Sequence, residues 1–144
     1  MCNSKAVSTD FTLTVNVDRP RQTIVGFGGA FTDAFVLQLK NLTTDARLKL
    51  LASYFDPVQG IGYTVGRVPV ASCDFSARVY SYDDVGNDSS LAHFALADED
   101  LTGKIPAILD AQALSGGKLR LFASPWSAPG NRDFPYAISA ITQR

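Results

Sequence analysis

The residue types best suited to chemistry follow apolar segments of the chain. Trp126, the only tryptophan, stands between two prolines in SPWSAPG at 124–130, where a turn alone would need no large aromatic ring. Arg67 lies inside the apolar stretch YTVGRVPV, and a buried guanidinium is costly unless an anion pairs with it. Asp74 precedes Phe75, which sets a hydrogen-bond acceptor beside an aromatic ring. Such a pair suits a sugar, because its hydroxyls donate hydrogen bonds and its C–H face packs on rings.

Each of these residues also has an ordinary structural interpretation. Arg67 could form a structural ion pair with Asp33 or Asp74. Asp74 could close an Asx turn, and Trp126 could simply fill a core. Cys73 is expected to be a small buried apolar residue rather than a nucleophile, because the one histidine is poorly placed in the sequence to activate it.

The composition indicates a globular domain without a cofactor. The 144 residues are 46% hydrophobic with a net charge of −1, which excludes the basic footprint of a nucleic-acid binder. One histidine, His93, and two distant cysteines form neither a metal-ligand cluster nor a disulfide framework. The stretch GFGG lacks the spacing of a dinucleotide fingerprint. No apolar run could span a bilayer, and residues 1–10 carry no signal peptide.

Strands and helices alternate along the chain, which predicts an α/β fold with parallel strands. Apolar residues alternate with polar ones at 11–17 and predict a half-buried strand. Three further strands are predicted near 23–27, 63–68 and 119–123. Function gathers at the carboxyl ends of strands in such folds, and the tryptophan, the arginine and the Asp–Phe pair all lie at or just after those ends.

Helix signals fall between these strands. Thr32 or Asp33 can cap a helix through Leu39, and Thr44 can cap a second one. A third helix is predicted from Pro106 to Leu114, ended by two glycines. The polar segment at 72–100, which includes His93, is predicted to be a long loop.

Three motifs, GFGGAFTDA, GIGYTVGRVPVASCDFS and LFASPWSAPG, occur in this order. Together they resemble the N-terminal part of the catalytic domain of glucosylceramidases, the lysosomal acid β-glucosidases of glycoside hydrolase family 30. The resemblance runs from about Phe11 to Gly130. It implies a (β/α)8 TIM barrel with an attached β-sandwich, and a retaining glycosidase that hydrolyses glucosylceramide to glucose and ceramide.

The resemblance divides the chain into three parts. Residues 1–20 are expected to give a strand to the β-sandwich, 21–130 to form a partial barrel, and 131–144 to be a divergent tail. It also implies a β-glucoside such as glucosylceramide as substrate. A longer parent enzyme would contact a membrane surface and an activator protein, and it would be lysosomal or secreted.

The site residues carried over by the resemblance are the same ones that the chemistry selected. Arg67 resembles the arginine that supports the catalytic carboxylates. Asp74 and Trp126 resemble the residues that bind the glucose hydroxyls, and Phe75 matches an aromatic residue of that pocket. Cys73 matches a free cysteine of the family.

The catalytic carboxyl groups themselves are not expected in this chain. Retaining hydrolysis uses two carboxyl groups about 5–5.5 Å apart, and the chain contains one glutamate, Glu99. In the family both groups are glutamates on later strands. We therefore expect an inactive fragment, from a truncated gene product or a misread exon boundary. The alternatives are a non-catalytic sugar-binding or interaction fragment, and a chain that does not fold stably alone.

Overall fold

The fold is a parallel three-stranded sheet with three helices, seen in a computed structural model that describes residues 12–126. The strands, in sheet order, are β1 (Gly28–Ala30), β2 (Val65–Val70) and β3 (Arg120–Pro125). The helices are α1 (Asp33–Lys40), α2 (Thr44–Phe55) and α3 (Ile105–Leu114), and a π-helical turn at Asp100–Lys104 leads into α3. The predicted α/β class with parallel strands is confirmed.

The first strand of the sheet begins later than predicted. Residues 23–27 form no strand, and β1 starts at Gly28 instead. Gly28 pairs with Val65, and a Cβ on Gly28 would lie 1.5 Å from the Val65 carbonyl oxygen. Only glycine permits this close pairing. Because glycine is rare in strands, sequence propensity does not predict a strand at this position.

The other two strands extend past their predicted ends. β2 continues through Pro69 to Val70, and β3 continues to Pro125. β1 pairs only with Val65–Arg67. Pro69, which has no N–H to donate, therefore lies beyond the part of β2 that β1 covers.

The helix boundaries follow their capping signals. The Thr32 hydroxyl accepts a 3.2 Å hydrogen bond from the Phe35 amide at the start of α1. Thr43, rather than the predicted Thr44, caps α2. α3 ends at Leu114, and the two glycines that follow it, Gly116 and Gly117, have φ of 62° and 78°, the left-handed conformation that ends many helices.

The predicted strand at 11–17 is wrong over its described residues. Residues 12–16 are irregular and 17–19 form a turn, and the side chains of Leu13, Val15 and Val17 are exposed. No other described segment pairs with them, so the alternating pattern has no sheet to join. The assignment of residues 1–20 to a β-sandwich stays a prediction. Phe11 and the predicted tail at 131–144 lie outside the described residues.

The core joins all three helices to the sheet. The ring of Phe31, just after β1, stacks on Phe55 of α2 with the centroids 5.6 Å apart. Gly66 in β2 leaves room for this ring, because a Cβ there would lie 2.7 Å from it. The other buried members of the cluster are Val36, Leu39, Leu51, Ala107, Ala111 and Leu119. Within residues 12–126, no helix is long and apolar enough to cross a membrane.

Candidate sugar-binding site

Three of the four predicted site residues meet at the carboxyl ends of β2 and β3. The Trp126 indole Nε1 donates a 3.4 Å hydrogen bond to Oδ1 of Asp74. The guanidinium carbon of Arg67 lies 4.4 Å from the centre of the Trp126 ring, a cation–π contact. Trp126 is still 38% exposed, so it does not fill a core.

The sheet register sets the position of Arg67. Arg67 lies opposite Phe122, and its Nε donates a 2.7 Å hydrogen bond to the hydroxyl of Ser124, two residues further along β3. Its Nη2 is buried without a hydrogen-bond partner among the described residues. The alternative of an ion pair with Asp33 or Asp74 is wrong for the described part of the chain, because neither carboxylate pairs with Arg67 there.

Asp74 and Phe75 occupy the tip of a tight turn, Cys73–Ser76. The Ser76 amide donates to the Cys73 carbonyl over 3.1 Å, and Phe75 has a φ of 64°, which is unusual for a bulky residue. As a whole residue, Phe75 is 89% exposed. Phe75 therefore stands at the rim of the site rather than packed beside Trp126. Cys73 carries a free thiol and is only partly buried.

A buried polar network lies beside this turn and was missed by the sequence reasoning. The side chain of Lys104 is 1% exposed, and its Nζ lies 2.9 Å from Oδ1 of Asp33 and 3.0 Å from Oδ1 of Asp100. Tyr80 and Ser76 both donate hydrogen bonds to the Asp33 carboxylate. Burial lowers the pKa of Lys104, but its hydrogen bonds to Asp33, Asp100 and Tyr80 outweigh burial and raise that pKa above the usual value.

The only local signal for this network was the spacing of Asp100 and Lys104, four residues apart in a helical segment. Asp33 entered the sequence reasoning as a partner for Arg67. It pairs with Lys104 instead, a residue 71 positions away, and no local pattern connects the two.

The single glutamate, Glu99, pairs with an arginine outside the candidate site. Glu99 accepts two hydrogen bonds of 2.8 Å from Arg78, and this pairing holds the pKa of Glu99 below its usual value. A general acid for glycoside hydrolysis needs a raised pKa, so Glu99 is unsuited to that role.

The single histidine also lies in the loop, as predicted. The His93 side chain is exposed, and its Nδ1 is 2.9 Å from Oδ2 of Asp88. The amide of His93 and the hydroxyl of Ser90 donate to Asp88 and lower its pKa. These contacts tie the loop together locally.

Comparisons with known proteins agree with the motifs. Putative glucosylceramidase 3 of Caenorhabditis elegans is 50% identical over 126 residues, which are 88% of this chain and 24% of that protein. Lysosomal acid glucosylceramidase of Mus musculus is 46% identical over 121 residues, 84% of this chain and 23% of the mouse protein. The solved structure of the endo-β1,6-glucanase BT3312 matches with a TM-score of 0.71 at 27% identity, over 81% of this chain and 25% of that one.

The chain spans about a quarter of the length of these relatives. Residues 24–137 match the family model of the glycosyl hydrolase family 30 TIM-barrel domain. This match covers the whole described sheet and the first seven residues of the predicted tail. It includes all four predicted site residues and most of the chain, and the chain therefore belongs to glycosyl hydrolase family 30.

Proposed function

We propose that this chain forms one wall of the glucose-binding site of a glucosylceramidase-like retaining β-glucosidase. Asp74 and Trp126 would bind glucose hydroxyls, and Phe75 would contact the substrate at the rim. The catalytic carboxylates would come from strands outside this chain, with Arg67 supporting them. Residues 1–20 would belong to an attached β-sandwich, where strands outside this chain would pair with a segment whose described part, residues 12–20, forms no strand here.

The contact between Trp126 and Asp74 is the observation that carries this proposal. At 3.4 Å it is longer than a typical N–H···O hydrogen bond. A sugar hydroxyl that bridges the two groups from the side could accept from the indole and donate to the carboxylate. One long hydrogen bond would then be replaced by two of ordinary length, in a site that an aromatic ring already borders.

Arg67 supports the same interpretation from the other side of the ring. Its Nη2 is buried and has no partner among residues 12–126, and a buried charged donor without a partner is costly. A carboxylate on a neighbouring barrel strand would satisfy it. In a retaining mechanism one carboxylate attacks the sugar and a second carboxyl group protonates the leaving oxygen. A fixed guanidinium beside them would stabilise the negative charge of the carboxylate and hold its orientation.

The relatives favour a glucosylceramide-like substrate over a β-1,6-glucan. The glucosylceramidases are 44–50% identical to this chain, whereas two endo-1,6-β-glucanases are 35–36% identical. The mouse relative is named as lysosomal, which supports a lysosomal or secreted parent enzyme. Contacts with a membrane surface and an activator protein belong to the same proposal.

A chimera tests this function. Residues 24–126 would replace the matching segment of the mouse enzyme, which then supplies the remaining strands. We expect the chimera to hydrolyse a fluorogenic β-glucoside and glucosylceramide, and not a β-1,6-glucan. A folded chimera that cleaves only the glucan would contradict the proposed substrate.

A second candidate is sugar binding without hydrolysis by the 144-residue chain, because its one glutamate is engaged by Arg78. Titration with methyl β-D-glucoside, followed by Trp126 fluorescence, would measure binding. We expect no hydrolysis of the fluorogenic substrate by the chain alone. Turnover that exceeds an Asp74→Ala control would contradict this expectation.

A further inference from the structure

We infer that Ser76 and Asp33 are positioning residues that hold the Asp74 carboxylate against Trp126. The relay runs from Lys104 to Asp33, from Asp33 to the Ser76 hydroxyl, and from Ser76 into the turn that carries Asp74. This inference rests on the proposed role of Asp74 in sugar binding.

The Ser76 hydroxyl is the junction of the relay. It accepts a 2.9 Å hydrogen bond from the Cys73 amide, across the mouth of the turn. It also donates a short hydrogen bond to Oδ2 of Asp33. A hydroxyl can donate and accept at once, so one oxygen both closes the turn and ties it to the interior.

The anchor at the other end is fixed by burial and charge. Asp33 is 4% exposed and begins α1, directly after β1. Its Oδ1 is held by the ammonium of Lys104 at 2.9 Å, and its Oδ2 also accepts from the Tyr80 hydroxyl at 2.9 Å. Moving this carboxylate would leave the buried Lys104 ammonium without one of its anionic partners, which is strongly unfavourable. Asp33 is therefore a fixed point for the turn.

The turn needs such an anchor because its tip is exposed and strained. Asp74 and Phe75 are both exposed, and Phe75 holds a φ of 64°. Conformations of this kind persist only where surrounding contacts impose them. Without the anchor, the turn would relax and the Asp74 carboxylate would leave the indole of Trp126.

The experiment uses the 144-residue chain, in which Trp126 is the only tryptophan and so reports on the site alone. Ser76→Ala removes the junction, and Ser76→Thr restores the hydroxyl. Ser53→Ala is the matched control, because Ser53 is an exposed serine whose hydroxyl, within residues 12–126, bonds only to the Leu50 carbonyl in the same helix. Each variant is made with Asp74 intact and with Asp74→Ala.

Three quantities are measured: acrylamide quenching of Trp126, the Kd for methyl β-D-glucoside and the thermal midpoint. With Asp74 present, we expect Ser76→Ala to raise the quenching constant toward that of Asp74→Ala and to weaken glucoside binding roughly two- to tenfold. Ser76→Thr should restore both, and Ser53→Ala should leave both unchanged. In the Asp74→Ala background, Ser76→Ala should add nothing to quenching or affinity.

A purely structural serine would give another result. Ser76→Ala would then lower the thermal midpoint and change quenching equally in both backgrounds, which would overturn the inference. If Ser76→Ala fails to fold, Ser76→Cys provides a side chain of similar shape with a weaker hydrogen-bond donor. It should also raise the quenching constant and weaken glucoside binding when Asp74 is present, and change neither in the Asp74→Ala background. A chain that binds no glucoside contradicts the second candidate function, sugar binding by the chain alone, whereas the quenching cycle still decides the positioning role. The chimera tests the proposed function separately.

Discussion

The indole Nε1 of Trp126 donates to the carboxylate of Asp74 across 3.4 Å, although 52 residues separate the two in the sequence. β2 leads into the turn that carries Asp74, and β3 ends one residue before Trp126. Because the two strands are parallel neighbours, their carboxyl ends deliver both side chains to one edge of the sheet. The hydrogen bond is thus a consequence of topology.

Removal of either partner should weaken catalysis in the mouse chimera. We expect Asp74→Ala and Trp126→Ala each to lower kcat/KM about 5- to 150-fold, because a lost hydrogen bond to a buried group costs about 1–3 kcal/mol. Steady-state kinetics with a fluorogenic β-glucoside would measure this. Asp45→Ala, at an exposed position in the first turn of α2, is the control. Unchanged kinetics in both site variants would show that these residues do not bind glucose.

The Arg78–Glu99 pair should keep Glu99 ionised at acid pH. Its pKa lies below the reference value of 4.5 because Arg78 hydrogen-bonds to it. A pKa that is lowered in the folded state stabilises the fold above the unfolded pKa, and this stabilisation is lost as the pH falls through the folded pKa. The chain has one glutamate, so selective ¹³C-glutamate labelling gives a single carboxyl resonance whose pH titration is unambiguous.

Arg78→Met should return the titration of that resonance toward the ordinary glutamate range. Arg47→Met, which breaks the separate pair of Arg47 with Asp110, should leave it in place. An identical Glu99 titration in the Arg78 variant and the unsubstituted chain would refute the assigned cause.

Gly28→Ala should disrupt the pairing of β1 with β2. The new Cβ would meet the Val65 carbonyl carbon and oxygen at 2.5 and 1.5 Å, and backbone atoms in a paired strand cannot move aside cheaply. Overpacking typically costs about 1–3 kcal/mol. We expect the free energy of unfolding to fall by about 3 kcal/mol or more, because the clash is with backbone atoms. Urea titration would measure the loss. Gly86→Ala is the matched control, since a Cβ there meets nothing within 4 Å.

Lys104→Gln should be strongly destabilising, because it leaves Asp33 and Asp100 buried without their shared cation. The loss of one partner from a buried ion pair costs about 3–5 kcal/mol. Lys49→Gln removes an exposed lysine from α2 and should change the free energy of unfolding by less than about 0.5 kcal/mol. Equal urea midpoints for the two variants would show that the buried network contributes little.

Local patterns in the sequence were sufficient to place the three helices and the strands β2 and β3 to within a few residues. Threonine caps and the paired glycines after α3 act within one turn of the backbone, so their effect can be deduced from neighbouring residues. Apolar strands that lead into polar or proline-rich segments also indicated where Arg67, Asp74 and Trp126 would lie. The resemblance of the three long motifs identified the family, whereas the local patterns indicated only the helices and strands.

Only the tertiary structure decided which of these residues contact one another. It shifted β1 onto Gly28, because close strand pairing there depends on the Val65 carbonyl across the sheet. In that structure Asp33 forms an ion pair with Lys104 rather than with Arg67, and Phe75 is exposed at the tip of a turn. Contacts between distant segments depend on how the whole chain packs, and side-chain type and spacing along the sequence do not specify them.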